Sequence, residues 1–183
     1  MAKYKSLKGQ PIQVLTADPP APVEGQVWVV AAPGTASVMK GYALGTGAWA
    51  SGGNLNTAKQ QMAGAGTTHS AALAIGGAPN RTTNELYNGT SWTEVGDINT
   101  GRSLMIGAGS STAAIIGGGN VPPDNQVVAE LWDGSSWTEV NNLNTATRGA
   151  AGFGSSTAAL SVGGRVPPNT PSAKNESWNG TSW

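Results

Sequence analysis

The sequence contains no cysteine, one histidine and one phenylalanine. Without cysteine the chain has neither disulfides nor thiolate metal ligands, and its cysteine content favours neither an oxidising nor a reducing compartment. The 10 basic and 10 acidic side chains cancel, so no net charge attracts the chain to nucleic acid or to anionic lipid. We therefore expect no nucleic-acid partner and no membrane insertion, and a fold that is stabilised by packing alone.

Large aliphatic residues are also scarce, because Leu, Ile, Val and Phe together supply 30 of the 183 residues. Such a fraction would favour disorder if the net charge were high, which it is not. The 27 glycines and 7 tryptophans favour closely approaching β-strands in which tryptophan supplies much of the buried area. Near the N-terminus, Lys3, Lys5 and Lys8 are followed by no apolar run, so we expect neither a secretory signal nor a membrane anchor.

An internal repeat organises most of the chain. Four similar segments, GTGAW, YNGTSW, WDGSSW and WNGTSW, end in tryptophan at intervals of 43, 45 and 46 residues: Trp49, Trp92, Trp137 and Trp183. Within each interval an LNT or INT triplet is followed by two glycines two positions apart, an Ala-rich run and a Gly-Gly doublet. The doublets precede Pro-containing loops of variable length: Gly76-Gly77, Gly118-Gly119 and Gly163-Gly164. We divide the repeats at 50–92, 93–137 and 138–183, and expect the loops to share one exposed rim.

Each repeat predicts four short strands, because no window has helical periodicity and the apolar runs are short and bounded by turn signals. In the middle repeat we expect strands at 92–95, 104–108, 112–116 and 127–132. Asn-Gly or Asp-Gly pairs precede the closing tryptophans and favour tight antiparallel turns: Asn88-Gly89, Asp133-Gly134 and Asn179-Gly180. The predicted fold class is therefore all-β.

These features resemble the kelch motif, in which a hydrophobic strand ends in Gly-Gly and is followed by a loop, an aromatic residue and a Trp. The aromatic pairs that carry the resemblance are Tyr87 and Trp92, Trp132 and Trp137, and Trp178 and Trp183. Arg102 lies about where kelch repeats often have an Arg, while Lys59 replaces it in the first repeat and Arg148 is offset by one in the third. The resemblance covers residues 50–183 and implies that each repeat is one four-stranded blade of a β-propeller, with the aromatic pair packed between blades.

Three repeats are fewer than the four to eight blades of a closed propeller. We therefore expect a partial propeller, which further residues of a longer chain, a partner chain or a symmetric oligomer would complete. We favour the longer chain, since Trp183 stops one residue short of the next TEV strand. Homo-oligomerisation is also expected.

Residues 1–49 differ in kind from the repeats. A connector with three prolines at 19–22 precedes two expected strands, at 26–30 and 37–43, so this part is interpreted as an extended arm followed by a β-hairpin. Its stretch PAPVEGQVWV…GYALGTGAW is similar to short segments of bacteriophage tail and fibre proteins, especially those of marine phages, in which Gly-Thr-Ser-Trp repeats often follow. The resemblance implies a virion-attachment segment at 1–49 and an outward-facing repeat domain after it.

Few residues could carry catalytic chemistry. His69 has no counterpart in the other repeats, so a structural or surface role is favoured. No ligand spacing typical of Zn²⁺ or of an EF-hand occurs, and the Gly-rich runs lack the helix and Lys of a phosphate-binding loop. Glutamates recur at one position of each repeat, which is typical of a structural role and not of a general acid and base: Glu85, Glu130 and Glu176. We expect a non-enzymatic protein with no cofactor and no metal.

The resulting interpretation is a phage virion structural protein, part of a tail, tail fibre or other appendage, located in the extracellular particle. Residues 1–49 would attach it to other virion proteins, and its loops would contact a host-surface glycan or receptor, or neighbouring subunits. The candidate contact residues lie in the loops that follow the Gly-Gly doublets: Asn80, Arg81, Asp124, Asn125, Arg165 and Asn169. The alternative is a secreted or cell-surface bacterial kelch-type lectin, or an enzyme of the galactose-oxidase-like group, and the sequence disfavours it because it shows no signal peptide and no metal ligands.

Overall fold

A computed structural model of the chain describes residues 13–15, 17, 20, 27–31, 38–41 and 51–183. All regular secondary structure in these residues is β-strand. The all-β class expected from the sequence is therefore confirmed. By its contacts the chain divides into two compact units, Met1–Ala50 and Ser51–Trp183. Across the described part of the chain, no helix is long and apolar enough to cross a membrane.

The described residues of the first unit form one three-stranded sheet: β1 (Gln13–Leu15), β2 (Val27–Val30) and β3 (Val38–Gly41). β2 and β3 are antiparallel, with Val30 opposite Val38, and both lie inside the strands expected at 26–30 and 37–43. β1 pairs with β2 in parallel, with Gln13 opposite Trp28. Part of the expected arm is therefore a third strand of this sheet, and the greater part of residues 1–49 lies outside the described residues.

Three antiparallel sheets follow one another in the second unit. The first contains β4 (Ala63–Thr68), β5 (Ala71–Ile75), β6 (Asn84–Tyr87) and β7 (Trp92–Val95), paired in that order. The second contains, in order of pairing, β8 (Ile106–Gly109), β9 (Ala114–Gly117), β12 (Ala129–Trp132) and β13 (Trp137–Val140). The third contains β14 (Ala151–Gly154), β15 (Ala159–Val162) and β18 (Asn175–Trp178). Two short hairpins lie between sheet strands: β10 (Asn120–Val121) with β11 (Asp124–Asn125), and β16 (Arg165–Val166) with β17 (Thr170–Pro171).

Each sheet is shifted by one strand relative to the repeats into which the sequence was divided. The strand Trp92–Val95, expected as the outer strand of the middle repeat, pairs with β6 of the first sheet, with Tyr87 opposite Trp92. The cause is the tight turn at 88–91, which joins the strand before it to the strand after it. The first two hydrogen-bonded sheets therefore extend past their closing Trp residues.

The third sheet has three strands, whereas the sequence predicted four in every repeat. In the first two sheets the fourth strand begins at the closing Trp, at Trp92 and at Trp137. The corresponding residue of the third repeat is Trp183, and the described residues form no fourth strand there.

Neighbouring sheets approach most closely at their first strands, since β8 lies between β4 and β14. A Cβ atom added at Gly107 would lie 2.5 Å from the carbonyl oxygen of Gly64, and one added at Gly152 would lie 2.5 Å from that of Gly107. Real Cβ atoms do not approach a carbonyl this closely, so only glycine fits. Gly107 and Gly152 are therefore required where one sheet packs on the next.

Two hydrophobic clusters lie between the sheets. The cluster between the first and second sheets contains Ala63, Ala65, Leu73, Ile75, Ile98, Met105, Ala114, Ile116, Trp132 and Trp137. The cluster between the second and third sheets contains Ala108, Ile115, Ala159 and Trp178, with Leu131, Val140 and Trp183 packed against it. Successive residues of a strand point to opposite faces, so Ile116 contacts the first cluster and Ile115 the second. Each sheet thus has a backward face toward the sheet before it and a forward face toward the sheet after it.

Candidate interaction surface

The Gly-Gly doublets fix where each loop leaves its sheet. All six glycines have positive φ angles between 59° and 112°, a region that residues with side chains rarely adopt. The Gly77 N–H donates to the carbonyl oxygen of Arg102 at 3.1 Å, and the Gly119 N–H donates to that of Thr147 at 2.8 Å. The first two doublets therefore bind the main chain of the following repeat.

The second and third loops contain short hairpins that the sequence did not predict. Asn120 pairs with Asn125 across the β10–β11 hairpin, and Arg165 pairs with Pro171 across the β16–β17 hairpin. Strands of two residues carry no alternation of polar and apolar side chains, so the period-2 signal was absent. We call the three loops at 78–84, 120–126 and 165–174 the loop rim.

Arg148 joins two loops of the rim. Its guanidinium donates to the side-chain oxygen of Asn120 at 3.1 Å and to that of Asn169 at 2.7 Å. The Asn125 side-chain amide donates to the carbonyl oxygen of Arg165 at 3.0 Å. The second and third loops consequently form one continuous surface, and four of the six candidate contact residues lie in it: Asp124, Asn125, Arg165 and Asn169.

The other two candidate residues lie in the first loop and are half-buried. Asn80 has a φ of 65°, and a Cβ atom added at Gly101 would collide with its carbonyl oxygen, so the loop lies directly on the second repeat. The Arg81 backbone N–H donates to the Gly77 carbonyl oxygen at 2.8 Å. These contacts orient the first loop through its backbone.

The aromatic pairs lie on the backward faces of the sheets. Their ring centroids are 5.0, 5.3 and 5.6 Å apart with the rings tilted by 34° to 44°: Tyr87 and Trp92, Trp132 and Trp137, and Trp178 and Trp183. In the first two sheets the pair faces across adjacent antiparallel strands, a cross-strand contact that stabilises a sheet. The role of these pairs in the structure is packing.

In each repeat a glutamate accepts hydrogen bonds from the Asn-Thr segment that precedes the sheet to which the glutamate belongs. Glu130 Oε2 accepts hydrogen bonds from the backbone N–H and the side-chain amide of Asn99, at 2.8 and 2.9 Å. The same amide donates to the carbonyl oxygen of Trp137 at 3.2 Å. Equivalent Asn-to-Glu bonds occur in the other repeats, from Asn56 to Glu85 and from Asn144 to Glu176. The sequence shows both features, but about thirty residues separate them and no local pattern connects them.

In the second repeat the glutamate also forms a buried ion pair. Arg102 Nη1 lies 2.6 Å from Glu130 Oε1, and both side chains are fully buried. Arg102 further donates to the carbonyl oxygens of Gly118, at 3.0 Å, and Thr100, at 2.9 Å. The guanidinium therefore satisfies both a buried carboxylate and two main-chain acceptors.

The other repeats differ at this position. In the first, Lys59 Nζ lies 3.3 Å from Glu85 Oε1. Burial raises the pKa of Glu85, but hydrogen bonds from the backbone N–H groups of Asn56 and Thr57, together with the Lys59 ammonium, lower it overall below its ordinary value. In the third, Thr147 occupies the equivalent buried position, and the neighbouring Arg148 contacts the loop rim.

The tight turns before the closing tryptophans use a carboxylate or amide oxygen. Asp133 accepts from the backbone N–H groups of Ser135 and Ser136, both at 2.8 Å. The Ser136 and Ser135 N–H groups hold the pKa of Asp133 at about 2. Asn88 and Asn179 form the same pair of bonds in the other repeats.

The first strands of the three sheets line an open groove of about 420 Å³. Its walls are mostly glycine and alanine, and Thr68 carries the single polar side chain among the lining residues. His69 lies exposed at the turn after β4. Among the described residues no group of three or more His, Asp or Glu side chains could hold a metal ion. The groove therefore carries no cluster of polar side chains, and the loop rim is the candidate interaction surface.

Comparison with known proteins bears only on the fold. No family model and no curated protein matches the chain. Among solved structures, the one titled "Structure of YjhT" is similar, with a TM-score of 0.54 and 14% sequence identity. The alignment covers 64% of this chain and 42% of that chain, so this chain spans less than half of its length.

Proposed function

We propose that this chain is a bacteriophage virion structural protein, of a tail, tail fibre or other appendage, that presents a rigid loop rim to the host surface or to neighbouring subunits. The observation that carries the proposal is the Arg148 contact, which holds the second and third loops in one fixed surface at 2.7 and 3.1 Å. A surface whose loops are already ordered binds a partner at a lower entropic cost.

In this proposal the three sheets are blades of a kelch-like β-propeller. Each of the first two is an antiparallel meander that runs from a glycine-rich first strand to an outer strand, and the first strands of all three lie side by side. Radial repetition of such sheets around an axis is the propeller architecture. The order of the Gly-Gly doublet, loop and aromatic pair, which resembles kelch repeats, supports the same assignment.

The first 49 residues are the proposed attachment segment for other virion proteins. Their resemblance to short segments of phage tail and fibre proteins supports this role, as does their separation from the repeats into a compact unit of their own. The protein is then a component of an extracellular particle, with no catalytic activity and no cofactor.

The chemistry of the rim suits a polar partner. Asp124, Arg165 and Asn169 are exposed there, and they supply a carboxylate, a guanidinium and an amide. These groups donate and accept hydrogen bonds with the hydroxyl groups of a glycan or with a polar protein surface.

Immunogold electron microscopy tests the location. Antibody raised against residues 51–183 is applied to phage particles from the source culture, with pre-immune serum as the control. Label on the tail, neck or another appendage is the expected result. Label confined to cells or to soluble material would overturn the virion proposal and favour the secreted or cell-surface lectin.

Two variants, each of which removes one exposed carboxylate, test whether the loop rim contacts the host. Asp124 is exposed at the tip of the second loop and Glu139 is exposed on the outer strand β13. Binding of the purified chain to host cells is expected to fall in the Asp124→Ala variant and to be unchanged in the Glu139→Ala variant. Equal loss in both variants, or no loss in either, would show that the second loop does not contact the host.

A further inference from the structure

The packing at the two junctions between neighbouring sheets is similar. At each junction the forward face of one sheet packs on the aromatic pair and small residues of the next backward face. Residues one repeat apart occupy corresponding places, so Ala65 on the first forward face corresponds to Ala108 on the second. Both are buried, at 8% and 5% exposure.

Among the described residues, none covers the forward face of the third sheet in this way. By repeat position Phe153 corresponds to Ala108 and Leu160 to Ile115, which are 5% and 0% exposed. Phe153, Leu160 and the adjacent Val162 are 57%, 41% and 38% exposed. The third sheet therefore presents an apolar face of the kind that is buried elsewhere in the chain.

The backward face of the first sheet is also exposed, although the equivalent face of the second sheet is buried. Met62, at 42% exposure, corresponds to Met105, which is 5% exposed. Tyr87 and Trp92 are half-buried, whereas the corresponding Trp132 and Trp137 are buried. Every large hydrophobic side chain that is exposed in residues 51–183 belongs to one of these two faces.

Gly64 supplies an independent observation. Glycines at the corresponding positions 107 and 152 are required because the strand of the preceding sheet lies 2.5 Å from where a Cβ atom would be. At Gly64 the nearest atom to an added Cβ is 3.8 Å away. Glycine in a strand destabilises it, and at position 64 no contact with the described residues requires glycine. A strand docked from outside the chain would require it.

We propose that a second copy of this chain covers both faces. The third sheet of each copy packs on the first sheet of the other, so that Gly64 of one copy lies against the β14 strand of the other, as Gly107 lies against β4. The result is a two-fold symmetric ring of six sheets, within the range of four to eight that closes a propeller. This inference depends on the repeat geometry and is independent of the virion proposal.

A second copy is the occupant that the observations favour. Both faces belong to this one chain, and each is the counterpart of the face that the other meets at an internal junction. The apolar side chains that would meet are Met62, Ala72, Tyr87 and Trp92 on one face, and Phe153, Leu160 and Val162 on the other. Glu94 shares the first face but lies on the outer strand, where the corresponding Glu139 stays exposed beside an internal junction. Two identical contacts form at once, which closes the ring and leaves neither face exposed.

Sedimentation velocity on the full chain, over a range of micromolar concentrations, tests the proposal. The expected species has twice the 18.4 kDa mass of one chain. Gly64→Val places a side chain where the second copy's strand would lie, and Leu160→Glu places a charge on the opposite face. Each is expected to raise the dimer dissociation constant by about tenfold or more, while the circular dichroism spectrum stays that of the folded chain.

Thr93 provides the matched controls, because it is exposed on an outer strand away from both faces. Thr93→Val and Thr93→Glu introduce the same side chains and are expected to leave the dimer intact. A wild-type chain that stays monomeric throughout would overturn the proposal and assign the faces to another partner or to further residues of a longer chain. A dimer that persists in both face variants, or a trimer, would also overturn it.

Discussion

Removal of the Arg102 guanidinium should leave a fully buried carboxylate without its cation. In an Arg102→Met variant, Glu130 would keep its bonds from Asn99 but lose its partner at 2.6 Å, and two main-chain oxygens would lose a donor. Breaking a buried ion pair by removing one member costs about 3–5 kcal/mol. Since whole domains are stable by about 5–15 kcal/mol, we expect a large shift of the unfolding midpoint.

Two further variants separate charge from packing. Arg102→Lys keeps the charge, and Lys59 shows that lysine can reach the equivalent glutamate, so a loss of about 1–2 kcal/mol is expected from the missing main-chain bonds. The double variant Arg102→Met with Glu130→Leu removes both charges and should recover most of the stability, because no unpaired carboxylate is left.

Equilibrium unfolding in urea, followed by tryptophan fluorescence, measures these differences. Trp132 and Trp137 lie in the same sheet as Glu130 and report directly on its unfolding. The reasoning would be refuted if Arg102→Met cost less than about 1 kcal/mol, or if the double variant were as unstable as Arg102→Met alone.

Three other predictions follow from the turns, the sheet junctions and the loop rim. Asp133 has a folded pKa of about 2, below its ordinary 3.8, so its contribution to stability is present above pH 4 and is lost as the pH falls toward 2. Asp133→Asn should remove this part of the acid dependence of the urea midpoint, and Asn88→Asp should add a similar one; unchanged acid profiles would contradict this. Gly107→Ala should cost about 1–3 kcal/mol in urea unfolding because its methyl group meets the first sheet, whereas Gly64→Ala should not destabilise the isolated monomer; equal costs in monomers would contradict the packing argument. Arg148→Ala should speed amide hydrogen exchange at 120–126 and 165–174 with little change in the melting temperature, and unchanged exchange there would show that Arg148 does not hold the loops.

The repeat frame and the turns could be predicted from the sequence because they depend on local chemistry. The strand at Trp92–Val95 was expected at its observed bounds, and the Asp133-Gly134 turn lies between the two strands that it was expected to join. Such signals need only the residues within one strand or turn. The strand Trp92–Val95 was assigned to the middle repeat but belongs to the first sheet, since a repeat has no natural starting point in its sequence.

The contacts of the candidate site were harder to predict from the sequence. Arg148 was interpreted as a displaced copy of Arg102, yet it lies at the loop rim and Thr147 has the buried place. A shift of one residue in a strand or bridge moves a side chain to the opposite face, so spacing alone could not assign the role. The bond from Asn99 to Glu130 joins residues 31 positions apart, and only the fold brings them together.

The bonds from the Gly-Gly doublets to the next repeat join main chain to main chain, at Gly77 to Arg102 and at Gly119 to Thr147. These bonds require glycine in the doublets but involve no side chain of the loops that follow. Natural variation can therefore change the length and the residues of a loop while the repeats continue to stack in the same way. The stacked sheets and the loop rim can thus vary independently of each other in evolution.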